Sequence, residues 1–344
     1  MTNNLLERLQ SLVTAFQNKS VVGLGDLMLD QYRRGKIISI NPEAPTLDLL
    51  NPDLVETPGG AANAAWNIGY LGGNVKIIGV VGKDKEAESL RKLLSGQKGV
   101  ELLAIEDSSR LTTLKSRFYH DQYQVLRISQ ESRESLSSEI FEQCKKEITA
   151  ALKESKVLFV EDYGKGVVRE SVVDFLVELL NSNPDVEILF DPKIGNEAVY
   201  KKGMCTVLKP NWKEACHLAQ VDHMKAKPED VARAISEHYA TSVAITMGAK
   251  GMFVFDRKTN KATLIPTRAH EAFDIAGAGD TAIAAMALTL AAGGSLIEAA
   301  HLANIASGIV VQKSGTAYAT SEEINHEMTH DETQEILRKF AEEN

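Results

Sequence analysis

Cysteine is scarce in this chain, and its spacing points to neither disulfides nor zinc. Three of the 344 residues are cysteine, and these three, Cys144, Cys205 and Cys216, lie far apart with no Cys-x-x-Cys pair. A disulfide framework needs an even set of cysteines, and a zinc site needs closely paired ligands. We therefore expect reduced thiols and a cytoplasmic location.

Long apolar runs and clusters of basic residues are also missing. The longest apolar-rich stretch, residues 282–292, is well short of the ~20 residues that cross a bilayer. The net charge is −9, and no run of Lys and Arg is longer than Arg33 and Arg34, so nucleic acid and anionic lipid would be repelled. The charged, periodic N-terminus predicts an amphipathic helix rather than a signal peptide. We expect neither a membrane nor a nucleic-acid partner.

Short β-branched runs alternate with helical periodicity along most of the chain. The runs predict buried parallel strands at residues 21–25, 75–81, 157–160, 186–190, 206–208 and 243–246. Between them, apolar residues recur at helical spacing in residues 137–153, 168–180 and 228–239. This alternation predicts an α/β fold with one doubly wound, mainly parallel sheet flanked by helices.

Two segments, residues 33–57 and 111–129, interrupt the alternation. The second predicts two strands around a turn at Asp121 and Gln122. Both are expected to be antiparallel additions that form a small β lid over one end of the sheet, a device that excludes water from a site. We expect a single domain over residues 1–344, with an α/β core at 20–330 and a charged helical tail at 331–344.

Residues 273–281, with the sequence FDIAGAGDT, place a small-residue loop directly before an Ala- and Leu-rich helix. Backbone N–H groups from Gly277 to Asp280 can converge on an anion at the positive end of the helix dipole. Asp280 adds a carboxylate that an anion site alone would not need, placed to accept a proton from an attacking alcohol. The alternative is a glycine turn with Asp280 as the N-cap.

Two other segments combine polar residues with glycines or with a strand end. Gly59 and Gly60 precede a helix, where a ligand can approach the backbone closely and Asn63 offers both a donor and an acceptor. Close packing of that helix is the alternative. Asp26 and Asp30 follow the first strand, where ligands bind in open parallel sheets, although either residue could instead cap a helix.

Asn211 and Glu214 fall on one face of a first helical turn after another strand. Such a pair can hold a hydrated Mg²⁺ that also binds substrate phosphates, and a capping box is the alternative. The sequence contains no P-loop, no HExxH zinc motif and no GxSxG elbow, and Met28 stands at the third glycine position of a dinucleotide fingerprint. Several rival enzyme classes therefore lack their usual marker.

Taken together, the segments between about residues 21 and 324 resemble the ribokinase-like, or PfkB, family of carbohydrate kinases. Its two signatures match Gly59-Gly60-x-x-Asn63 and Gly277-Ala278-Gly279-Asp280. The resemblance implies an ATP-dependent phosphotransferase with a ribokinase-like fold and a β lid. It implies that Asp280 is the base, that Gly277, Ala278 and Gly279 form the anion hole, and that the sugar contacts are Asp26, Asp30, Gly59, Gly60 and Asn63.

The same resemblance implies a site for ATP and Mg²⁺. Glu214, with Asn211 acting through water, would organise Mg²⁺ and the phosphates. The nucleotide contacts would be Thr246, Gly248, Gly251, Asn304 and Ser307. The family usually has Thr where this chain has Ala276, so one hydroxyl near the phosphates is missing.

Three segments, NPEAP at 41–45, EDYGKG at 161–166 and DPK at 191–193, resemble the family's D-glycero-D-manno-heptose 7-phosphate kinases. Those kinases phosphorylate the C1 hydroxyl on the ADP-heptose route to lipopolysaccharide. A phosphorylated substrate needs cations. The candidates at lid or strand-end positions are Lys115, Arg117, Arg127, Lys165 and Lys193, of which at least two are expected to be ordinary solvated charges.

The segment from Arg127 to Ser129 departs from the Arg-x-Asp expected there.

Bifunctional relatives carry an adenylyltransferase domain after the kinase, so the helical tail of this chain implies a stand-alone kinase that works with a separate adenylyltransferase. The alternatives are a kinase for ribose, a fructose phosphate or 2-keto-3-deoxygluconate, a silent nucleotide or sugar-phosphate sensor, and a structural protein. A lid edge also offers strand pairing, which predicts a homodimer through the lid.

Overall fold

The computed structural model describes residues 2–268, 274–313 and 317–343. In chain order the strands are β1 (Ser20–Gly25), β2 (Leu27–Ile40), β3 (Leu47–Gly60), β4 (Asn74–Val81), β5 (Val100–Glu106), β6 (Thr113–His120), β7 (Tyr123–Gln130), β8 (Val157–Glu161), β9 (Glu187–Asp191), β10 (Val207–Leu208), β11 (Ser242–Thr246), β12 (Met252–Asp256) and β13 (Lys261–Ile265). The helices are α1 (Thr2–Ala15), α2 (Ala61–Tyr70), α3 (Lys85–Ser95), α4 (Ser138–Ala151), α5 (Glu170–Ser182), α6 (Trp212–Leu218), α7 (Pro228–Tyr239), α8 (Ala278–Ala291), α9 (Leu296–Val310), α10 (Ser321–Glu327) and α11 (Asp331–Glu343). None of these helices is both long enough and apolar enough to cross a membrane.

A nine-stranded sheet forms the centre, in the order β13-β12-β11-β10-β9-β8-β1-β4-β5. Every neighbouring pair is parallel except the two pairs that include β12. The predicted doubly wound, mainly parallel α/β fold is confirmed. Strands β5, β12 and β13 were not predicted. Since β5 and β13 lie at the sheet edges, where one side faces solvent, they lack the continuous apolar run of a central strand.

The sheet is packed between two layers of helices. Alternate residues of β1 point to opposite layers: Val21 packs in the cluster with α1, α2, α8 and α9, while Val22 and Leu24 pack in the cluster with α4, α5 and α7. This period of two is what places apolar residues on both faces of a parallel strand. Polar groups of the central strands therefore emerge at the strand ends.

The second sheet, which we call the lid sheet, has the order β3-β2-β6-β7. Two antiparallel hairpins, β2 with β3 and β6 with β7, are joined by parallel pairing of β2 with β6. Asp121, in the turn between β6 and β7, adopts a φ of 50°. Only Asp26 separates β1 from β2, so no helix begins near Asp26 or Asp30, and the helix-cap alternative for both residues is wrong.

The strand register gives the lid sheet two different faces. Val55, Tyr32, Arg117 and Arg127 form one cross-strand row, and the row beside it contains Leu54, Arg33, Phe118 and Leu126. Because successive side chains of a strand point to opposite faces, the two rows face opposite ways. One face is thus rich in charge, and the other exposes large apolar side chains.

Candidate active site

Helix α8 begins at an open, positively polarised end. Gly277 adopts a φ of 83°, the left-handed region that favours glycine, and no side chain of the described residues caps the first turn of α8. Five other helices, α3, α4, α6, α9 and α10, are capped by a side chain. The Ala278 N–H donates to the Ile275 carbonyl oxygen at 3.4 Å, and the first-turn N–H groups that follow it are suited to an anion. Phe273, the first residue of the sequence segment, lies outside the described residues.

Ala276 lies in the loop before α8, where its N–H donates to Asp274 Oδ1 at 2.9 Å. Asp280 lies in the first turn of α8 and is 8% exposed. Since the N-cap position is Gly277, the alternative that Asp280 caps this helix is wrong. Its carboxylate instead faces the centre of the molecule.

Asp280 receives one hydrogen bond on each carboxylate oxygen. Asn63 Nδ2 donates to Oδ2 at 2.6 Å, and the Tyr163 hydroxyl donates to Oδ1 at 2.6 Å. Burial raises the pKa of Asp280 to about 6, against the opposing effect of these two hydrogen bonds. Behind this pair, Thr281 Oγ1 donates to Asn67 Oδ1 at 2.9 Å and ties α8 to α2.

The glycines before α2 bring that helix against the end of β1. A Cβ on Gly60, whose φ is 58°, would lie 2.5 Å from the Asp26 carbonyl oxygen, and one on Gly59 would lie 2.7 Å from Asp30 Oδ2. Close packing therefore accounts for both glycines. It also places Asn63, one turn further along α2, against Asp280.

Asp26 is buried, and its carboxylate accepts hydrogen bonds from the loop that follows β8. Oδ2 accepts hydrogen bonds from the backbone N–H groups of Tyr163 and Lys165, both at 2.9 Å, and Oδ1 accepts one from Val167 at 3.2 Å. A carboxylate has about four acceptor positions, so capacity for a sugar hydroxyl remains. A sugar contact through Asp26 stays a prediction.

A buried charged cluster lies beside the start of α8, at the ends of β8, β9 and β10. Lys209 Nζ is 2.7 Å from Asp191 Oδ2 and 4.0 Å from where a Cβ of Gly279 would lie. Among the described residues, the two carboxylate oxygens of Glu161 have no hydrogen-bond partner. Burial raises the pKa of Glu161 well above its ordinary value, and the charge of Asp280 raises it further.

No role was predicted from the sequence for Tyr163, Glu161, Asp191 or Lys209. A signal for three of them was present, because Glu161, Asp191 and Lys209 directly follow the strands predicted at residues 157–160, 186–190 and 206–208. Charged residues at carboxyl ends of parallel strands meet at one edge of the sheet. Tyr163 stands in the segment EDYGKG, which resembles the heptose 7-phosphate kinases, but nothing in that segment indicated the contact of its hydroxyl with Asp280.

Cations of the lid sheet face this edge. Lys115 Nζ lies 5.2 Å from the centre of the Tyr163 ring, and Arg117 Nη1 is 3.0 Å from Asp30 Oδ1. Burial lowers the pKa of Lys115, which is also subject to the charges of Asp30, Arg117, Lys165 and Asp280. We call Lys115, Arg117, Lys165, Asp26, Asp30, Asn63 and Tyr163 the acceptor cluster.

The three other candidate cations differ in their surroundings. Lys165 Nζ pairs with Glu131 Oε2 at 2.5 Å. Lys193 follows β9, and its Cγ lies 3.7 Å from where a Cβ of Gly164 would be. Arg127 is exposed on β7, the outermost strand of the lid sheet, across from Arg117. The structure thus brings Lys115, Arg117 and Lys165 together and leaves Arg127 at the rim.

A cavity of 270 Å³ lies on the other side of the α8 start. All five predicted nucleotide contacts line it, together with Ala278 and Gly279: Thr246, Gly248, Gly251, Asn304 and Ser307. Asn304 Nδ2 donates to the Ile265 carbonyl oxygen at 2.9 Å, and Ser307 Oγ donates to the Ala278 carbonyl oxygen at 3.0 Å. We call this space the nucleotide cavity.

Asn211 and Glu214 form the capping box that the sequence left as an alternative. Asn211 Oδ1 accepts from the Glu214 N–H at 3.0 Å, and Glu214 Oε2 accepts from the Asn211 N–H at 2.9 Å. Burial raises the pKa of Glu214, and the charge of Asp191 raises it further. A bound cation would reduce the repulsion between Glu214 and Asp191, which agrees with a role in Mg²⁺ binding. That role stays a prediction.

Comparison with known proteins identifies the class. The family model described as pfkB family carbohydrate kinase matches residues 18–323. The chain therefore belongs to this family of carbohydrate kinases, and it is a phosphotransferase. The resemblance inferred from the two glycine-containing signatures is confirmed.

Among curated relatives, the bifunctional protein HldE of Gluconacetobacter diazotrophicus is 35% identical over 318 residues, which cover 91% of this chain and 64% of that protein. HldE of Geotalea uraniireducens is 35% identical over 332 residues, covering 94% of this chain and 66% of that protein. The chain thus spans a little under two thirds of the length of these relatives.

Two solved structures show the same fold at low identity. Phosphofructokinase-2 from Escherichia coli, crystallised with potassium, has a TM-score of 0.73 and 19% identity, with 94% of this chain and 99% of that chain covered. Ribokinase from Arabidopsis thaliana, complexed with ribose and ATP, has a TM-score of 0.69 and 18% identity, with 91% and 100% covered. Identities this low support the shared fold alone.

Proposed function

We propose that this sugar kinase transfers the terminal phosphoryl group of ATP to the C1 hydroxyl of D-glycero-D-manno-heptose 7-phosphate. The observation that carries the proposal is the position of Asp280. It lies between the nucleotide cavity and the cationic acceptor cluster, at the open end of α8. The similarity to HldE proteins favours the heptose phosphate over other sugars.

In this mechanism Asp280 accepts the proton of the sugar hydroxyl as that oxygen attacks the phosphorus. A carboxylate whose pKa is about 6 is largely ionised at neutral pH, yet basic enough to take a proton in the transition state. The N–H groups at the start of α8 face the negative charge on the transferred phosphoryl group. Lys209, beside Gly279, adds a buried positive charge next to this loop.

ATP and Mg²⁺ fit the residues present. The nucleotide cavity is lined mainly by small or neutral side chains, and Glu214 would hold the metal with Asn211 acting through water. Within the described ranges, no group of three His, Cys, Asp or Glu side chains could hold a metal. Mg²⁺ retains waters and binds substrate phosphates, so it needs only one or two protein carboxylates. When bound, it neutralises charge on the transferred phosphates.

The 7-phosphate of the sugar would bind the cations of the acceptor cluster. Lys115 is the strongest candidate, because it is half-buried and forms no salt bridge among the described residues. Arg117 and Lys165 already pair with Asp30 and Glu131. A partly desolvated ammonium that no salt bridge occupies can bind a phosphate.

A coupled assay for ADP formation across sugars tests the proposal directly. We expect heptose 7-phosphate to be used with the highest kcat/KM, and mass spectrometry to detect a 1,7-bisphosphate. Activity with ribose or fructose 6-phosphate, combined with none on the heptose phosphate, would favour the second candidate, a kinase for another sugar. ATP binding without turnover on any sugar would favour a sensor.

We also propose a homodimer through the lid sheet. Its face opposite Arg117 exposes large apolar side chains, including Leu54, Leu126 and Ile128, each about half exposed. Exposed apolar patches of this kind mark interaction surfaces. Leu126→Glu should therefore shift the mass measured by light scattering from dimer to monomer, and Leu111→Glu, outside the lid strands, is its control. A monomeric wild type at micromolar concentration would contradict the proposal.

The proposed location is the cytoplasm. Cys144, Cys205 and Cys216 are buried and unpaired, which agrees with a reducing compartment.

A further inference from the structure

One short loop, residues 162–167, connects the two buried aspartates of the site. It follows β8, and its Tyr163 hydroxyl donates to Asp280 Oδ1 at 2.6 Å. Its backbone N–H groups at Tyr163, Lys165 and Val167 donate to the Asp26 carboxylate. The carboxylate at the end of β1 therefore fixes the loop that places a hydroxyl on Asp280.

The loop is also held from behind, by contacts that do not involve Asp280. The carboxylate of Asp162 accepts hydrogen bonds from Asn196 Nδ2 and the Tyr200 hydroxyl, both at 2.6 Å, and from the Gly164 N–H at 2.7 Å. Gly166 adopts a φ of 100°, and a Cβ there would lie 2.1 Å from the Glu134 carbonyl oxygen. The rest of the fold thus determines where the Tyr163 hydroxyl lies.

Each oxygen of Asp280 has one donor, and the two donors come from different elements. Asn63 of α2 binds Oδ2, and Tyr163 of the loop binds Oδ1. A hydrogen bond donated to a carboxylate stabilises its ionised form relative to its protonated form. Burial and the charge of Asp280 raise the pKa of Tyr163 well above its ordinary value, so the phenol keeps its proton and remains a donor.

Other charges act on Asp280 from every element packed around it, and they are the same whether or not the phenol is present. They are Glu161 at the end of β8, Asp191 at the end of β9, Lys209 after β10 and Lys115 of β6. Removing only the hydroxyl of Tyr163 therefore isolates one hydrogen bond within a fixed set of charges.

We propose that Tyr163 is a positioning residue, whose hydroxyl keeps the Asp280 carboxylate ionised and correctly oriented to act as the base. The inference rests on the proposed function. As the sugar oxygen forms its bond to phosphorus, its O–H bond breaks, the proton passes to Asp280 and ADP leaves. Tyr163 neither gains nor loses a proton in this step.

The test is Tyr163→Phe, which removes the hydroxyl and keeps the ring. The hydrogen bond to a charged group is lost, so the acidic limb of the pH profile of kcat should move to higher pH by about one unit. The activity lost at neutral pH should then largely return at higher pH, and the KM for the sugar should stay within about twofold. Tyr200→Phe is the matched control, because it removes a buried phenol that donates to Asp162 of this loop, leaves the Asn196 and Gly164 bonds to Asp162 in place and does not touch Asp280. The acidic limb of the pH profile of kcat for Tyr200→Phe should keep the wild-type midpoint.

Two kinetic results would overturn the proposal. One is an equal loss of kcat at every pH, which indicates a structural role only. The other is a lower KM for the sugar with an unchanged midpoint of the pH profile, which indicates that the hydroxyl only occupies space that the sugar would fill.

A measurement independent of turnover separates this inference from the proposed function. Carbon-13 NMR of the aspartate carboxyl groups, with Asp280→Asn to identify the Asp280 signal, follows its titration in wild type and Tyr163→Phe. If the wild type phosphorylates no sugar, the proposed function fails, and the NMR titration still decides the role of Tyr163. A higher titration midpoint of Asp280 in Tyr163→Phe supports the proposed role of Tyr163, and a midpoint equal to that of the wild type contradicts it.

Discussion

The two sides of Asp280 differ in what lines them. The nucleotide cavity is lined mainly by glycines and by apolar and neutral polar side chains, and its charged lining residue, Arg268, already pairs with Glu327 and Glu332. The acceptor cluster is built mainly from charged side chains, such as the paired Arg117 and Asp30. Shape and backbone groups would therefore bind the nucleotide, whereas side-chain charge would select the sugar. Substitutions on the two sides should affect different kinetic constants.

The largest effect is expected where the two sides meet. Asp280→Asn keeps the shape of the side chain but removes the base, so kcat should fall about 10²- to 10⁴-fold. ATP binding, measured by calorimetry, should change little because the nucleotide cavity is intact. Asp174→Asn, an exposed aspartate of α5 that pairs with Lys201, makes the same chemical change away from the site and should retain far more activity. Near-normal turnover of Asp280→Asn would remove it from the mechanism.

On the acceptor side, Lys115→Met should act on the sugar phosphate alone. Loss of one charge-assisted contact should raise the KM for the phosphorylated sugar about 10- to 100-fold, with the KM for ATP unchanged. Arg127→Met, on the same face of the lid sheet but at its exposed rim, should have a much smaller effect. Equal effects of the two variants, measured by steady-state kinetics, would contradict this assignment of the 7-phosphate site.

On the nucleotide side, Gly279→Ala should affect ATP without unfolding the protein. Among the described residues, a Cβ at Gly279 meets nothing closer than Lys209 Nζ at 4.0 Å, so there is room for the methyl group. In the proposed mechanism the phosphates of ATP lie in this space. The added methyl group should therefore lower kcat/KM for ATP about tenfold. Gly96→Ala, remote from the site and with an ordinary φ of −80°, is the control for the substitution itself. An unchanged kcat/KM for ATP would place the phosphates elsewhere.

The pH dependence of stability tests the burial of Asp280 without any substrate. Its pKa is about 6 in the folded protein and near its ordinary value of 3.8 when unfolded, so the stability it contributes is complete below pH 3.8 and is lost as the pH rises through 6. Asp280→Asn does not titrate. Relative to wild type, the variant should gain stability between pH 4 and pH 8, by up to about 3 kcal/mol. Urea unfolding at pH 4 and pH 8 measures the free energy of unfolding of the wild type and the variant. A difference between them that is the same at both pH values would contradict the raised pKa of Asp280.

The sequence predicted the middle of the fold better than its edges. Central strands such as β1 and β8 are buried on both faces, so an unbroken apolar run marks them, whereas β5 carries Glu101 and Glu106 at a half-exposed edge. The interruptions at residues 33–57 and 111–129 overlap the two hairpins of the lid sheet, although a pair of strands was predicted only for the second. Their parallel pairing through β2 and β6 joins distant segments, so local patterns could not indicate it.

The same limit applies to the site. Asp280, Asn63 and the glycines before α2 and α8 stand in short motifs, so their positions were accessible from the sequence. The bond between Tyr163 and Asp280 joins residues 117 positions apart, and it depends on a loop held by Asp26. Arg117 and Arg127 looked equivalent in sequence, and only the order of the strands separates the half-buried cation from the exposed one.

The connection between the two sheets has a mechanical consequence. The β2–β3 hairpin of the lid sheet leaves the core at Asp26 and returns at Gly60, and the Ala61 N–H donates to the Asp26 carbonyl oxygen at 3.2 Å where these strand ends meet. This junction is the point about which a tilt of that hairpin would turn. A tilt about it would rotate Asp26, whose carboxylate holds the loop of Tyr163. Closing over a sugar and aligning the base would then be two results of a single movement.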